Sequence, residues 1–600
     1  MSERHPAVLD TADVAWEGTT PISRSVGDVY FSRRGGIEES RAVFLDGNEL
    51  PRRFRDVRGS MIVGETGFGT GLNFLVARER FLRLAPSSAV LHFVSFEHAP
   101  LARADRVRFA ARLHEQSVPE LTAGAHDLID THPAPIRGWH RRVFDGGRVR
   151  LSLWLGHAAE GLEDWQRQGG RGADAWMLDG FAPSKDDGLW QPGVARALAA
   201  RSAAGATLAT FTVARSVRNA LIDAGFNLNK RPGVLGKRDM LVGQLSEPTR
   251  IAHTPPSAIR IAGAGLAGAT LARACAERGL DVTVHDPQGP AGRASANHHA
   301  VLHPRLPLED GGRPLILIAA EGFTRQWLTR AAWADAFTPA KVRQATEVRR
   351  PDRLRKLRAR FGSLDGRIAW GAGEELVWTH GGHADLPHLV NHLLTHERIE
   401  LRPDPLTVTQ SATDGITLIA AGTMSRALLA EHLGAQGAPL GRMRGQLTRT
   451  FMSNPPAAGA ILTGRGHAVP LTDGWSVGSS YVRLSAQEAP TDVSASTEER
   501  LENLARLDAW HAYLGRQAPA VSSATDWAEV RTTAPDRTPL AGQVAPGVWC
   551  STAHASSGLL TCPLAAEFIA SALCAEPPVL SSNLRALLAP DRFSRRSDAR

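Results

Sequence analysis

Two glycine-rich turns, each leaving a short apolar run, constrain this chain more than any other feature. The first is "GETGFGTGLNF", Gly64 to Phe74, at the end of "SMIVGE". The second is "IAGAGLAGATLARACAERG", Ile261 to Gly279. A strand that passes through a glycine turn into a helix is the building unit of a parallel nucleotide-binding sheet. Six hundred residues exceed one core, so two to four domains are expected, and two of them should be of this α/β kind.

The polar, proline-bearing stretch "SEPTRIAHTPPSA", 246–258, reads as a linker because its prolines block helix. It separates a domain over 1–245 from one over 259–600. In the first, "SMIVGE", "VLHFVSFE", "VRLSLWLG", "DAWMLDGF", "GATLATFT" and "DMLVGQL" alternate with helix-length segments. That rhythm predicts a Rossmann-like, mostly parallel sheet with helices on both faces. The second domain begins the same way and then changes. Alternating runs such as "AWGAGEELVWTH", "GQLTRTFM" and "GWSVGSSYV" predict a mixed-sheet subdomain beside a nucleotide-binding fold.

Composition narrows the class. At 43% hydrophobic and 22% charged the chain is globular. It shows no apolar run of about 18 residues, so no membrane association is expected. The opening "MSERHPAVLD" lacks the layout of a signal peptide. Cys275, Cys550, Cys562 and Cys574 form no CxxC pair, which argues against a disulfide scaffold or a zinc site. A cytoplasmic, metal-free monomer is the expectation. The net charge of +8 gathers partly in "PRRFRDVR" (51–58), "RGWHRR" (137–142), "KRPGVLGKR" (230–238) and "RRPDRLRKLRARF" (349–361). Any one cluster is best read as a solvated face; together they also suit a phosphate backbone.

The second glycine turn is the easier to interpret. Gly263 permits the tight turn, Gly265 admits a pyrophosphate, and Gly268 lets helix and strand pack closely. Asp286 ends the next strand, where a carboxylate can accept ribose hydroxyls. Downstream, "ITLIAAGTMSRALL" supplies another strand-to-glycine element. "RTTAPDRTPLAG" (531–542) and "ASSGLLTCPLAAEFIASAL" (555–573) supply a loop running into a helix that Gly558 opens. Such a helix N-terminus suits a flavin pyrimidine edge that gains negative charge on reduction. On these motifs, most of residues 259–590 resembles the FAD-dependent D-amino acid oxidase family. The resemblance implies FAD, and it implies that Arg531 clamps a substrate carboxylate.

The first turn has a different grammar. Glu65, Gly67, Gly69 and Gly71 make E-x-G-x-G-x-G, which resembles the loop that methyltransferases wrap around S-adenosylmethionine. Glu97 closes "VLHFVSFE", where a carboxylate reaches a ribose diol. Asp179, in "WMLDGFAPSKDDGLW", sits at the carboxyl end of another apolar run, where ligand crevices form. It can orient an amine and take its proton, or cap a helix. Phe181 and Trp190 are candidate base stackers, with core packing the stronger alternative for Phe181.

Taken with "DVYFSRRGGIEESRAVFLDGNEL", "TLATFTVARSVRNALIDAGF", "GRASANHHAVLHPRL" and "RGQL", these motifs resemble the bacterial bifunctional tRNA 5-methylaminomethyl-2-thiouridine biosynthesis family over nearly the whole chain. The resemblance implies tRNA as partner, through an unstacked wobble uridine in the anticodon loop. It implies that the C-terminal domain oxidatively removes the carboxymethyl group of 5-carboxymethylaminomethyl-2-thiouridine. The N-terminal domain would then methylate the freed amine. Four positions depart from the family pattern. His157 replaces an acid, His299 a glutamine, His303 a tyrosine and Ser557 an arginine. Two other readings stay open: a glycine- or sarcosine-type amine oxidase whose N-terminal half only binds, and a tRNA-binding protein with one dead site.

Overall fold

The computed structural model describes residues 4–33, 35–233, 239–246, 255–256, 258–344, 352–371, 375–406, 415–433, 439–452, 459–485, 493–515, 517 and 521–593. Most of the 246–258 stretch read as a linker therefore lies outside the described residues. The chain forms two compact units. One comprises Pro6–Pro255 with Ser571–Ser582; the other comprises Met1–His5, Pro256–Ala570 and Asn583–Arg600.

The unit holding the first glycine turn is built on eight strands. Across the sheet they run Phe226–Pro232, Asp239–Leu245, Ser202–Thr210, Ala173–Met177, Ser60–Glu65, Val90–Glu97, Val149–Leu155 and Gly138–Phe144. The five from Ser202–Thr210 to Val149–Leu155 pair in parallel. The outer partners pair antiparallel. Strand alternation divides the core between the two faces. Met61 and Val63 join Phe54, Phe74, Phe81 and Phe93, while Ile62 and Val94 join Trp139, Trp154, Trp165 and Trp176. Ser571–Ser582, late in the chain, belongs to this unit. The Pro577, Pro578 and Leu580 carbonyls accept from Arg141, Ser152 and Gln168.

The other unit contains a nucleotide-fold sheet in the order Ile399–Arg402, Asp281–His285, Ala258–Ala262, Ile416–Ile419, Val548–Thr552 and Leu540–Ala545. All its pairs are parallel except the last. A ten-stranded sheet accompanies it. That sheet is mixed, because Phe337–Gln344 runs antiparallel to Glu375–Ala384 and parallel to Ile461–Gly464.

Two expectations change here and one holds. "RGWHRR" is neither a solvated face nor an anion patch, since His140, Arg141 and Arg142 are buried in the strand Gly138–Phe144. Their polar ends are spent internally, on the carbonyls of Ile136, Pro577 and Thr131. "RRPDRLRKLRARF" does place Leu354, Leu357 and Phe361 inward on the helix Asp352–Phe361. Finally, Ala555–Leu573 is long and apolar enough to cross a membrane, against the reading that no such run exists, yet 78% of it is buried inside the protein. Its apolarity belongs to a core helix.

Candidate functional site

In the first unit a cleft of about 1490 Å³ opens at the carboxyl ends of the parallel strands. The glycine turn forms one wall. Gly69 and Gly71 take φ of 51° and 78°, the left-handed region that an L side chain resists. A Cβ on Gly69 would meet Tyr30 Cδ1 at 3.2 Å, and one on Gly67 would meet the Asp179 carbonyl at 3.1 Å. The turn thus leaves bare backbone where a ligand can approach. Gly71 precedes the helix Leu72–Leu84, whose first exposed N–H groups face this end of the sheet.

The acids occupy different depths. Glu97 lines the cleft, with Oε2 accepting from Gly69 N–H at 2.8 Å and Oε1 from Ala99 N–H at 2.9 Å. Burial nonetheless pushes its pKa up. Glu65 is fully buried behind the wall instead of on it, so burial pushes its pKa well up. Its oxygens accept from Ser95 Oγ at 2.6 Å and Asn73 Nδ2 at 2.9 Å.

Asp179 lines the cleft just beyond the strand Ala173–Met177. Its Oδ2 accepts from Asn73 Nδ2 at 2.7 Å and its Oδ1 from Gly180 N–H at 2.8 Å. No described helix begins at its next residue, so its hydrogen bonds are those of a fixed loop carboxylate and not of a helix cap. Ser40 Oγ donates to Asn73 Oδ1 at 2.6 Å, which fixes that amide's orientation.

The two aromatic candidates occupy different places, one in the core and one on the cleft. Trp190 is buried, with Nε1 donating to the Phe181 carbonyl at 2.9 Å and its ring set against Phe211. Phe181 is the half-buried ring on the cleft wall, edge-on to Tyr30 at 5.3 Å. The reason is local: the turn after Asp179 folds Trp190 under the loop that displays Phe181. His157 lies exposed on the same wall, stacked on His98 at 5.6 Å. Tyr30 and Asn73 were missed in the sequence, because their roles depend on partners far away along the chain.

In the other unit, Gly263 takes φ of 107°, and a Cβ there would meet the Ala420 carbonyl at 2.5 Å. A Cβ on Gly268 would lie 1.8 Å from the Gly263 carbonyl, so turn and helix close only because both are glycine. Gly265 caps the helix Leu266–Ala276. Asp286 stands at the end of Asp281–His285, with its oxygens accepting from Ala264 N–H at 2.8 Å and Gln288 N–H at 2.9 Å. Gly558 opens the helix Gly558–Leu573 after the short turn that carries Ser557.

Arg531 projects from the strand Ser523–Thr533. Its Nη2 donates to Ser479 Oγ at 3.1 Å and the Ser480 carbonyl at 3.4 Å, and its guanidinium lies 5.1 Å from the Tyr481 ring centre. No carboxylate pairs with it among the described residues. Burial lowers its pKa, with Tyr481 opposing that shift. Gly445, in "RGQL", makes the room: a Cβ there would fall 1.7 Å from Nη2. Tyr481 also hydrogen-bonds Ser556, which links the arginine to the loop before Gly558.

A set of depressed histidines belongs to this unit. Burial brings His299 and His303 down to about 4, and His467 to about 3 with Arg531 adding to the fall. Two of them, His299 and His303, are the departures noted in "ASANHHAVLHP".

Comparison with known proteins fits both halves. A family model described as S-adenosyl-L-methionine-dependent methyltransferase matches residues 119–246. One described as FAD dependent oxidoreductase matches residues 259–572. The tRNA 5-methylaminomethyl-2-thiouridine biosynthesis bifunctional protein MnmC of Chromohalobacter salexigens is 34% identical, covering 95% of this chain and 91% of that protein. Its namesake from Pseudomonas entomophila is 31% identical, covering 98% and 99%. Among solved structures, glycine oxidase from Geobacillus kaustophilus overlays with a TM-score of 0.45 at 16% identity, covering 56% of this chain and 99% of that one.

Proposed function

This chain belongs to the family of tRNA 5-methylaminomethyl-2-thiouridine biosynthesis bifunctional proteins, and from that premise we propose how its residues divide the work. It is an S-adenosylmethionine-dependent methyltransferase joined to a FAD-dependent oxidoreductase. The oxidoreductase removes the carboxymethyl group of 5-carboxymethylaminomethyl-2-thiouridine in tRNA. The methyltransferase converts the 5-aminomethyl product to 5-methylaminomethyl-2-thiouridine.

The observation that carries this reading is Arg531, a desolvated guanidinium with only neutral partners among the described residues. Such a group favours a carboxylate ligand, because a buried cation without a counter-ion gains most from one. The glycine-like arm of the substrate brings that carboxylate. In our reading Arg531 holds it, and the neutral imidazoles nearby add no competing positive charge.

FAD and S-adenosylmethionine, when bound, supply the electron acceptor and the methyl group. The residues present fit both. Gly263, Gly265, Gly268, Asp286 and Gly558 would hold the dinucleotide. Gly67, Gly69, Gly71 and Glu97 would hold the methyl donor, with Glu65 acting from behind through Asn73. Asp179 accepts a hydrogen bond from the target amine and takes its proton, while Asn73 and Gly180 N–H fix the carboxylate. Phe181 and Tyr30 give the flipped uridine an aromatic wall. No disulfide joins the four cysteines, which suits a reducing cytoplasm, and one chain carries both sites, so a monomer suffices.

Mass spectrometry of tRNA nucleosides from a strain lacking the gene tests the proposal. Accumulation of the carboxymethylaminomethyl nucleoside is expected. An unchanged nucleoside profile, with oxidation of free glycine or sarcosine by the purified chain, would replace it with the amine-oxidase reading.

A further inference from the structure

We propose that Asp335, His388 and His392 form a binding site for a divalent transition-metal ion of the zinc class. The helix Leu386–Leu394 carries both histidines, and residues four apart share one face of a helix. Their rings lie 4.5 Å apart between centres, with the two Nε2 atoms 2.9 Å apart. Asp335 Oδ2 completes a triangle, 3.0 Å from His388 Nε2 and 3.4 Å from His392 Nε2.

That triangle has the dimensions of a metal site. Bonds of about 2.0–2.1 Å at tetrahedral angles put neighbouring donor atoms roughly 3.3–3.4 Å apart. The three donors therefore need to part by only a few tenths of an ångström to surround an ion. Two imidazoles and one carboxylate select zinc, nickel, cobalt or copper over magnesium or calcium, which take oxygen ligands. The side chains of Asp335, His388 and His392 are 63%, 49% and 35% exposed, so water can complete the coordination.

The backbone holds the donors together before any ion arrives. Asp385 N–H donates to the Ala336 carbonyl at 3.0 Å, tying the turn Ala334–Ala336 to the start of the histidine helix. Asp385 also caps that helix, accepting from His388 N–H at 3.1 Å, while its other oxygen contacts His298 Nδ1 at 2.9 Å. An ion here would clip the turn to the helix. The metal-free expectation rested on cysteine spacing, which is blind to two histidines meeting an aspartate more than fifty residues upstream.

The test uses the full-length, flavin-loaded chain after treatment with a chelator. Titration calorimetry with Zn²⁺ should show one tight equivalent that raises the melting temperature. His388→Ala and His392→Ala should each weaken it at least tenfold and abolish the thermal shift; His298→Ala should leave both intact. The flavin spectrum of every variant verifies the fold. Zn²⁺ binding of wild-type strength in His388→Ala and His392→Ala would overturn the proposal, as would no saturable binding to the parent chain.

Discussion

Asn73 Nδ2 lies 2.7 Å from Asp179 Oδ2 and 2.9 Å from Glu65 Oε1, so a single amide joins a cleft carboxylate to a buried one. The two acids stand at different depths, Asp179 on the cleft and Glu65 buried behind its wall. In the function proposed here Asp179 meets the substrate amine and Glu65 supports it from behind.

Asp179→Ala should therefore cut methylation by about 10²–10⁴-fold, the range of general-base losses, with binding of S-adenosylmethionine nearly unchanged. Asn73→Ala should cost less, about tenfold, because the Gly180 N–H still holds the carboxylate. Single-turnover methylation of aminomethyl tRNA, alongside cofactor calorimetry, measures both. Full activity in Asp179→Ala would remove it from the chemistry.

The second prediction concerns the carboxylate clamp. Arg531→Ala should lose about 1.5–3 kcal/mol of substrate interaction, or roughly ten- to a hundredfold in kcat/KM for the oxidative step. Arg531→Lys should recover only part of that, since an ammonium cannot reproduce the planar fork. Gly445→Ala, whose Cβ would fall 1.7 Å from Nη2, should imitate the loss without removing the charge. Wild-type turnover in Gly445→Ala with flavin bound would show that the guanidinium is free to sit elsewhere.

What the sequence made legible follows from how local each signal is. The strands Ser60–Glu65, Val90–Glu97 and Asp239–Leu245 match their apolar runs to the residue, because each is dominated by buried apolar residues and carries no competing pattern. Gly138–Phe144 and Phe226–Pro232 were missed because charge conceals them. In the first, buried arginines satisfy carbonyls; in the second, exposed polar residues mark a sheet edge. At the sites, glycines and strand-end acids announce themselves by position. Tyr30, Asn73 and Gly445 do not, because each is placed by residues distant in the chain: Tyr30 lies against Gly69, Asn73 bonds Glu65 and Asp179, and Gly445 leaves room for Arg531.

The depressed histidines predict a pH response. An imidazole whose folded pKa is about 3 or 4 binds a proton more readily in the unfolded chain, where the value is near 6.5. Each therefore contributes stability above pH of about 6.5 that is lost as pH falls through its folded value, about 4 for His299 and His303 and about 3 for His467, and no further below it. Thermal unfolding followed by flavin release should show the loss between those limits. His303→Gln and His467→Gln should flatten the slope; parallel slopes in parent and variants would assign it to carboxylates instead.

A fourth prediction uses the late segment that belongs to the N-terminal unit. Arg150 Nη1 meets Glu576 Oε1 at 2.5 Å, with side chains only 3% and 8% exposed. Breaking a buried pair from one side typically costs about 3–5 kcal/mol, because the remaining charge stays desolvated. Glu576→Ala should therefore lower the melting transition that accompanies loss of methylation, while the flavin remains bound. Glu576→Gln should be milder, since it retains a hydrogen-bond acceptor for the guanidinium. A melting profile unchanged by Glu576→Ala would mean that the C-terminal segment does not support the methyltransferase fold.

The last prediction returns to the first glycine turn. Gly69 holds φ of 51° with its N–H bound to Glu97, and its missing Cβ leaves 3.2 Å to Tyr30. Gly69→Val adds a branched side chain in a conformation that β-branched residues resist, and drives it toward that ring. Methylation should fall below detection, and calorimetry should show S-adenosylmethionine binding weakened by at least a hundredfold. Tyr30→Ala in the same background removes the clash but not the backbone strain, so it should restore only part of the binding. Oxidation of the glycine-like arm should continue, because none of these atoms belongs to the oxidoreductase unit, and tRNA should stop at the 5-aminomethyl nucleoside. Undiminished cofactor affinity in Gly69→Val would place the methyl donor elsewhere in the cleft and detach the turn from its assigned role.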